Sequence, residues 1–348
     1  MVRRQGNWHV LYFVGLVASL AAFAPARAAV YLVGPDEALN APSKAARVVH
    51  SGDTVRIKPK PGGYYDCAIW RADDLTIEGI GDDVRITDMT CHGKAIFVAV
   101  GNRITIRNLT FARARVPDGN GAGIRAEGMD LRVEHSRFID NESGILAANS
   151  ARSRIFLESS QFTDNGSCVP EHCSDAIAVG HIAELVVSDC RISGTRGGDA
   201  IRSLAERTIL TANHIDDGNG GTAAFLVELP SGGSLDMRQN VLQRGPRRSG
   251  QRAIVRLMQG IGASAVDSLS FTANTVRNDT GAPLAFVLNW TGTSMRLLDN
   301  HLPQDVTPES NSGYGWFLTK SAIHHGIAFA HNGLAIAKAL ARTIYHHL

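Results

Sequence analysis

One nine-residue phrase recurs along this chain and leaves few folds open to it. It reads "DLTIEGIGD" from Asp74, "RITIRNLTF" from Arg103, "DLRVEHSRF" from Asp130, "RIFLESSQF" from Arg154 and "ELVVSDCRI" from Glu184. It continues as "RTILTANHI" from Arg207, "SLDMRQNVL" from Ser234, "SLSFTANTV" from Ser268 and "SMRLLDNHL" from Ser294. The starts are 29, 27, 24, 30, 23, 27, 34 and 26 residues apart, a period that belongs to stacked supersecondary units. Within each phrase apolar residues alternate at period two, which is strand periodicity. Two or three such strands per unit cannot bury a face alone, so the units must stack in parallel. The seventh position reads Ser136, Ser160, Cys190, Asn213, Asn240, Asn274 and Asn300 in consecutive units. A column of small polar residues at one turn predicts side chains that hydrogen-bond from coil to coil. The expected fold is all-β, a single-stranded right-handed parallel β-helix of about nine coils. At about 4.8 Å per coil it makes a rod roughly 45 Å long.

The ends differ from the repeats. Arg3 and Arg4, an apolar run from Val10 to Phe23 and Ala26-Arg27-Ala28 predict a secretory signal peptide over 1–28; an uncleaved anchor is the alternative. Residues 29–52 are expected to form an N-terminal cap, with a short amphipathic helix from Ser43 to Val49. The rod occupies 53–306. Residues 307–348, ending in "LAIAKALARTIYHHL", carry helix formers at helical spacing and predict a helical tail on the rod. Membrane contact through that tail is an alternative. The mature protein is therefore expected in the periplasm or secreted. Without Arg3, Arg4 and Arg27 it holds 32 basic against 33 acidic residues. No global field points to nucleic acid, so a charged partner must meet local clusters.

The opening "YLVGPDEALNAPSKAARVVHSGDTVRIKPKPGGYYDCAIW", with the repeats, resembles secreted bacterial β-helix proteins of the pectin-lyase-like superfamily. That resemblance covers roughly Val30 to Pro303. It implies an acidic polysaccharide or oligosaccharide as partner, with pectate or alginate lyase, hydrolase or uronate epimerase activity, or no activity at all. Relatives with this opening often carry "HN-x-Y" and "E-I-K-S-R-A" phrases. Here Ser174-Asp175-Ala176-Ile177 and "DAIRSLA" stand in their place, so their histidine and lysine are replaced.

Between the phrases lies a second strand set: "KAIFV" from Lys94, "AGIRA" from Ala122, "SGILA" from Ser143, "DAIAV" from Asp175, "DAIRS" from Asp199 and "AAFLV" from Ala223. With the central Ile or Phe225 inward, Ala95, Gly123, Gly144, Ala176, Ala200 and Ala224 are expected to form an outward column, a shallow trough for a polymer. Lys94, Asp175 and Asp199 border it on one side, Arg125 and Arg202 on the other. Asp118, Asn120 and Glu127 stand near Arg125, and Arg196 and Glu228 near Arg202. A uronate lyase or C5-epimerase needs a cation to neutralise the sugar carboxylate and a base for the C5 proton; Lys94, Arg125 and Arg202 are candidates. A hydrolase needs two carboxyls, and Asp175 and Asp199 fall on adjacent coils. The bland readings are that both aspartates cap turns and that the arginines pair with neighbouring acids. A non-catalytic module of envelope or exopolysaccharide export is the functional alternative.

No cofactor is required by these residues. Asp73-Asp74, Asp82-Asp83 and Asp216-Asp217 form oxygen-rich turns that leave Ca2+ as an alternative. Gly245 to Arg252 is a basic loop. His324, His325, His331, His346 and His347 crowd the tail without an acidic or thiol ligand beside them. Of the cysteines, Cys190 occupies the inward ladder and is expected to stay unpaired. That leaves Cys168 with Cys173, and by elimination Cys67 with Cys91. The loop "DNGSCVPEHCSDAIAVG" from Asp164 offers two thiols and His172, too few for a structural zinc site. An oxidising compartment favours the disulfide, which pins His172 and Asp175 beside the groove.

Overall fold

The computed structural model describes residues 28–170, 172–247, 252–259 and 264–311. They form a right-handed parallel β-helix with three long sheets. The repeated phrases build the first sheet, eleven strands from Val30–Val33 to Arg296–Leu298. The second has nine strands, from Tyr64–Tyr65 to Thr275–Asn278. The third has ten, from Ala68–Trp70 to Val306–Ser310. Each coil thus spends one strand on each sheet, and each strand pairs with its equivalents one coil above and below.

The turn from first to second sheet shows how the repeat shapes the backbone. Asn108, His135, Ser159, Asp189, Ala212, Gln239, Ala273 and Asp299 all hold φ between 46° and 56°, left-handed residues that bend the chain sharply. In seven of these turns the next residue belongs to the polar column, and the expected ladder is present. Asn213 Nδ2 donates to Asn240 Oδ1 at 3.0 Å, Asn240 to Asn274 at 2.9 Å and Asn274 to Asn300 at 2.9 Å. Cys190 is buried in this column and unpaired; burial pushes its thiol up to about 12, which keeps it protonated and inert. Both disulfides match expectation, Cys67–Cys91 and Cys168–Cys173.

The interior corrects the expected trough. Phe111, Phe138 and Phe162 stack with centroids 5.3 and 4.6 Å apart, and Phe97 meets Phe111 edge-on at 5.0 Å. A Cβ on Gly123 would lie 2.7 Å from Phe138 Cδ1, and one on Gly144 2.7 Å from Phe162 Cδ1. Ala176 and Ala200 are likewise in the core. These four positions face inward, and Gly123 and Gly144 lack a side chain because phenylalanine rings from the second sheet reach across to them. At this corner two successive residues point in: Gly123 and Ile124 do, while Ala122 packs outside with Ala95 and Val98. Simple alternation fails where the strand turns the corner.

Register adds two corrections. Ala95 pairs with Ala122 rather than Gly123, a one-residue slip that leaves Ala95 on the outer face and Ile96 with Phe97 in the core. Val227, not Phe225, pairs with Ile201, and Phe225 packs outside with Ala253 and Ala285. At the ends, Val30–Val33 pairs with Thr54–Ile57, so the cap already contributes a strand. Its helix runs Pro42–Ala45, started by the proline at its first turn and shorter than the expected 43–49. Val306–Ser310 pairs with Leu284–Trp290, so residues 307–310 belong to the rod rather than to a helical tail. The signal peptide, the tail helix with its histidines and much of the basic loop lie outside the described residues. Among the described residues no helix is long and apolar enough to cross a membrane.

Candidate active site

The outer face of the third sheet carries two columns of side chains. Ala95, Ala122 and Ser143 pair in sequence, and Asp175, Asp199 and Phe225 continue the line. Three residues further along, the strand turns out again at Val98, Arg125, Leu146, Ala178, Arg202, Glu228, Arg256 and Leu288. Asp175 and Asp199 therefore stand beside Arg202, Glu228 and Arg256 on adjoining coils.

Both aspartates are nearly buried, 7% and 4% exposed. The Asp199 amide donates to Asp175 Oδ1 at 2.6 Å, and the Phe225 amide donates to Asp199 Oδ1 at 2.9 Å. Each carboxyl thus secures the coil after it, rather than capping its own turn. Its Oδ2 accepts no hydrogen bond among the described residues and is not sealed from solvent. Burial, followed by the charge of Asp199, lifts Asp175 to about 7. Burial also lifts Asp199 to about 6, opposed by the Phe225 amide and by Arg256, Arg202 and Arg244. A neighbouring pair that ionises near neutrality suits proton transfer.

The cations are organised by a buried acid. Glu228, 3% exposed, pairs with Arg202 at 3.3 Å and with Arg256. Arg256 lies over the Phe225 ring at 4.2 Å, a cation–π contact. Phe225 and Arg256 were missed from sequence, yet the signal was present. "AIVRLM" continues the "DAIRS" phrase, and only the uneven loops before it concealed the register. From Arg256 a groove of about 410 Å³ runs towards the end of the rod, past Arg252, Leu284, Leu288 and Trp290.

The other predicted residues form separate groups. Lys94 pairs with Glu127 at 2.6 Å, and Arg125 stands 3.9 Å from the same carboxylate, three coils from Arg202 along the outer column. Asp118 and Asn120 belong to the loop before Ala122. Glu142 Oε2 holds that loop through the amides of Val116 at 2.9 Å and Gly121 at 2.7 Å. The Cys168–Cys173 hairpin docks on it, with Ser167 and Ser174 hydroxyls donating to Gly119 O at 2.9 and 2.7 Å. His172 is exposed on this hairpin, at the corner leading into Asp175. Arg196 is drawn away to Asp140. The aspartate turns are engaged as well: Asp74 with Arg103 at 2.6 Å, Asp216 with Arg191 at 2.9 Å and Asp217 with Arg244 at 3.1 Å. Among the described residues no group of three or more His, Cys, Asp or Glu is placed to hold a metal ion.

Solved structures can be set against this geometry. The PL6 family alginate lyase AlyGC superposes with a TM-score of 0.55 at 14% identity, over 81% of this chain and 40% of that one. The likeness is one of fold, a right-handed parallel β-helix. The chain spans 40% of the length of the alginate lyase structure. The pectate lyase Pel9A aligns with a TM-score of 0.49 at 12% identity, over 82% of this chain and 80% of that one. No family model matches the sequence, and no curated protein does so significantly.

Proposed function

We propose that this protein is exported and cleaves an acidic polysaccharide on the outer face of its third sheet, with Asp175 and Asp199 as the proton-transfer pair. The observation that carries this reading is two adjoining, nearly buried carboxyls lifted to about 7 and about 6 beside the guanidinium groups of Arg202 and Arg256. Strands one coil apart lie about 4.8 Å from each other, close to the carboxyl separation of about 5–5.5 Å used in retaining glycoside hydrolysis. Near neutral pH one carboxyl is protonated and delivers its proton to the leaving glycosidic oxygen. The other, ionised, attacks the anomeric carbon; water then releases the sugar. Arg202 and Arg256 receive the sugar carboxylate. Lys94, engaged by Glu127 in an ion pair, is less free to serve a lyase or epimerase reaction. The alginate lyase named above lends the substrate class by analogy of fold.

The test is incubation with alginate, pectate and other polyuronates. New reducing ends without unsaturated ends, lost in Asp199→Asn, support hydrolysis; unsaturated ends or epimerised units move the chemistry to Lys94 and Arg125. No product and no binding to any acidic glycan refutes the proposal. The amide bonds to Asp175 and Asp199 favour a second reading, a non-catalytic glycan-binding module of envelope or exopolysaccharide export. In that case Arg125→Ala with Arg202→Ala weakens glycan binding, and there is no turnover to lose.

A further inference from the structure

We propose that a second groove, at the N-terminal end of the same face, is an anion-binding subsite for the acidic polymer. It rests on the reading of the third sheet as a glycan face and adds where the chain is gripped away from the carboxyl pair. The groove has a volume of about 620 Å³ and lies over the Cys67–Cys91 disulfide, between Arg47, Asp66, Ile69, Arg71, Met89 and His92. Its floor residue Ile69 pairs with Val98, the first of the outer column that leads through Arg125 to Arg202. Five strand spacings separate Ile69 from Arg202, about 24 Å.

What marks this groove is its charge. Along the rod most arginines already face a carboxylate: Arg56 and Arg107 share Glu78, Arg113 meets Asp88 and Arg154 meets Asp130. Arg47 and Arg71 are exposed, and their side chains have no ion pair or hydrogen bond among the described residues. The one acid of the groove, Asp66, is occupied, with its Oδ2 accepting the Ser43 amide at 2.7 Å. Between groove and centre, Lys94 and Arg125 share the single carboxylate of Glu127, leaving one positive charge over. The face thus offers surplus cations at the groove and at mid-rod, ahead of the Arg202 and Arg256 pair that Glu228 organises. Such spacing fits a linear polyanion engaged over several sugars rather than a small anion. The disulfide joins the floor strand to the Met89–His92 turn, so the groove keeps its shape without a ligand.

The experiment measures binding of long-chain alginate and pectate to the full protein by affinity electrophoresis and calorimetry. The double variant Arg47→Ala, Arg71→Ala is expected to bind roughly ten-fold more weakly and to depend less on salt, the loss expected of two exposed ionic contacts. The comparison is Arg137→Ala with Arg152→Ala, which removes the same charge from exposed positions on the other two sheets and is expected to leave affinity unchanged. Equal loss in both double variants, or loss in neither, overturns the subsite. If the wild-type protein cleaves polyuronates but Arg47→Ala, Arg71→Ala binds as tightly as wild type, the subsite fails and the catalytic reading stands. If wild type binds no acidic polymer, both fall.

Discussion

Replacing Asp175 by asparagine tests the electrostatics of the face directly. The change keeps the shape and the oxygen that accepts the Asp199 amide, but the side chain can no longer ionise. Because the folded value lies above the ordinary one, Asp175 favours the native state when protonated. Its contribution is complete below the unfolded value of 3.8 and is lost as pH rises through about 7. Full linkage over that interval corresponds to about 4 kcal/mol. The outward Oδ2 tempers this, so about 2–3 kcal/mol is expected. Asp175→Asn should therefore match wild type near about pH 4 and exceed it by roughly 5 °C in Tm near about pH 8. Carboxylates such as Asp88, held below the usual range by its hydrogen bond from Arg113, weaken both proteins alike in acid and cancel in the difference. Paired thermal melts across this pH range provide the assay. A Tm difference that does not change with pH, or one that favours wild type at alkaline pH, refutes the reasoning.

Three further outcomes follow from the packing. Gly123→Ala drives a methyl against Phe138 and Phe111 and is expected to cost about 1–3 kcal/mol in urea unfolding; a neutral result would return this column to the outer face. Asn240→Ala breaks the ladder between Asn213 and Asn274 and strands buried amide groups, costing about 3 kcal/mol by the same measurement. Thiol titration of the denatured, unreduced chain should find one reactive group, that of Cys190; three or five would disprove the disulfide pairing.

The comparison of sequence with structure turns on a few positions. The ladder was legible because Asn213, Asn240, Asn274 and Asn300 recur at one place in a phrase whose alternation defines a strand. Cys190 was legible as the odd thiol for the same reason. Asp175, Asp199 and Arg202 were legible as neighbours because their strands stack without slippage. Phe225 and Arg256 were not, since the loops around them differ in length and hide the register. Nor was the facing of Gly123, which depends on rings contributed by the second sheet.

Periodicity is a local property of the chain, and it was enough to settle the parallel coil, the polar ladder and the odd cysteine, Cys190. Which side of the third sheet a residue faces was decided only in three dimensions. At the corner the backbone bends, two successive side chains turn inward, and at Gly123 and Gly144 the Phe138 and Phe162 rings leave no room for a side chain. The same bend turns Asp175 and Asp199 outward beside Arg202 and Arg256, so the packing of the core set the chemistry of the face.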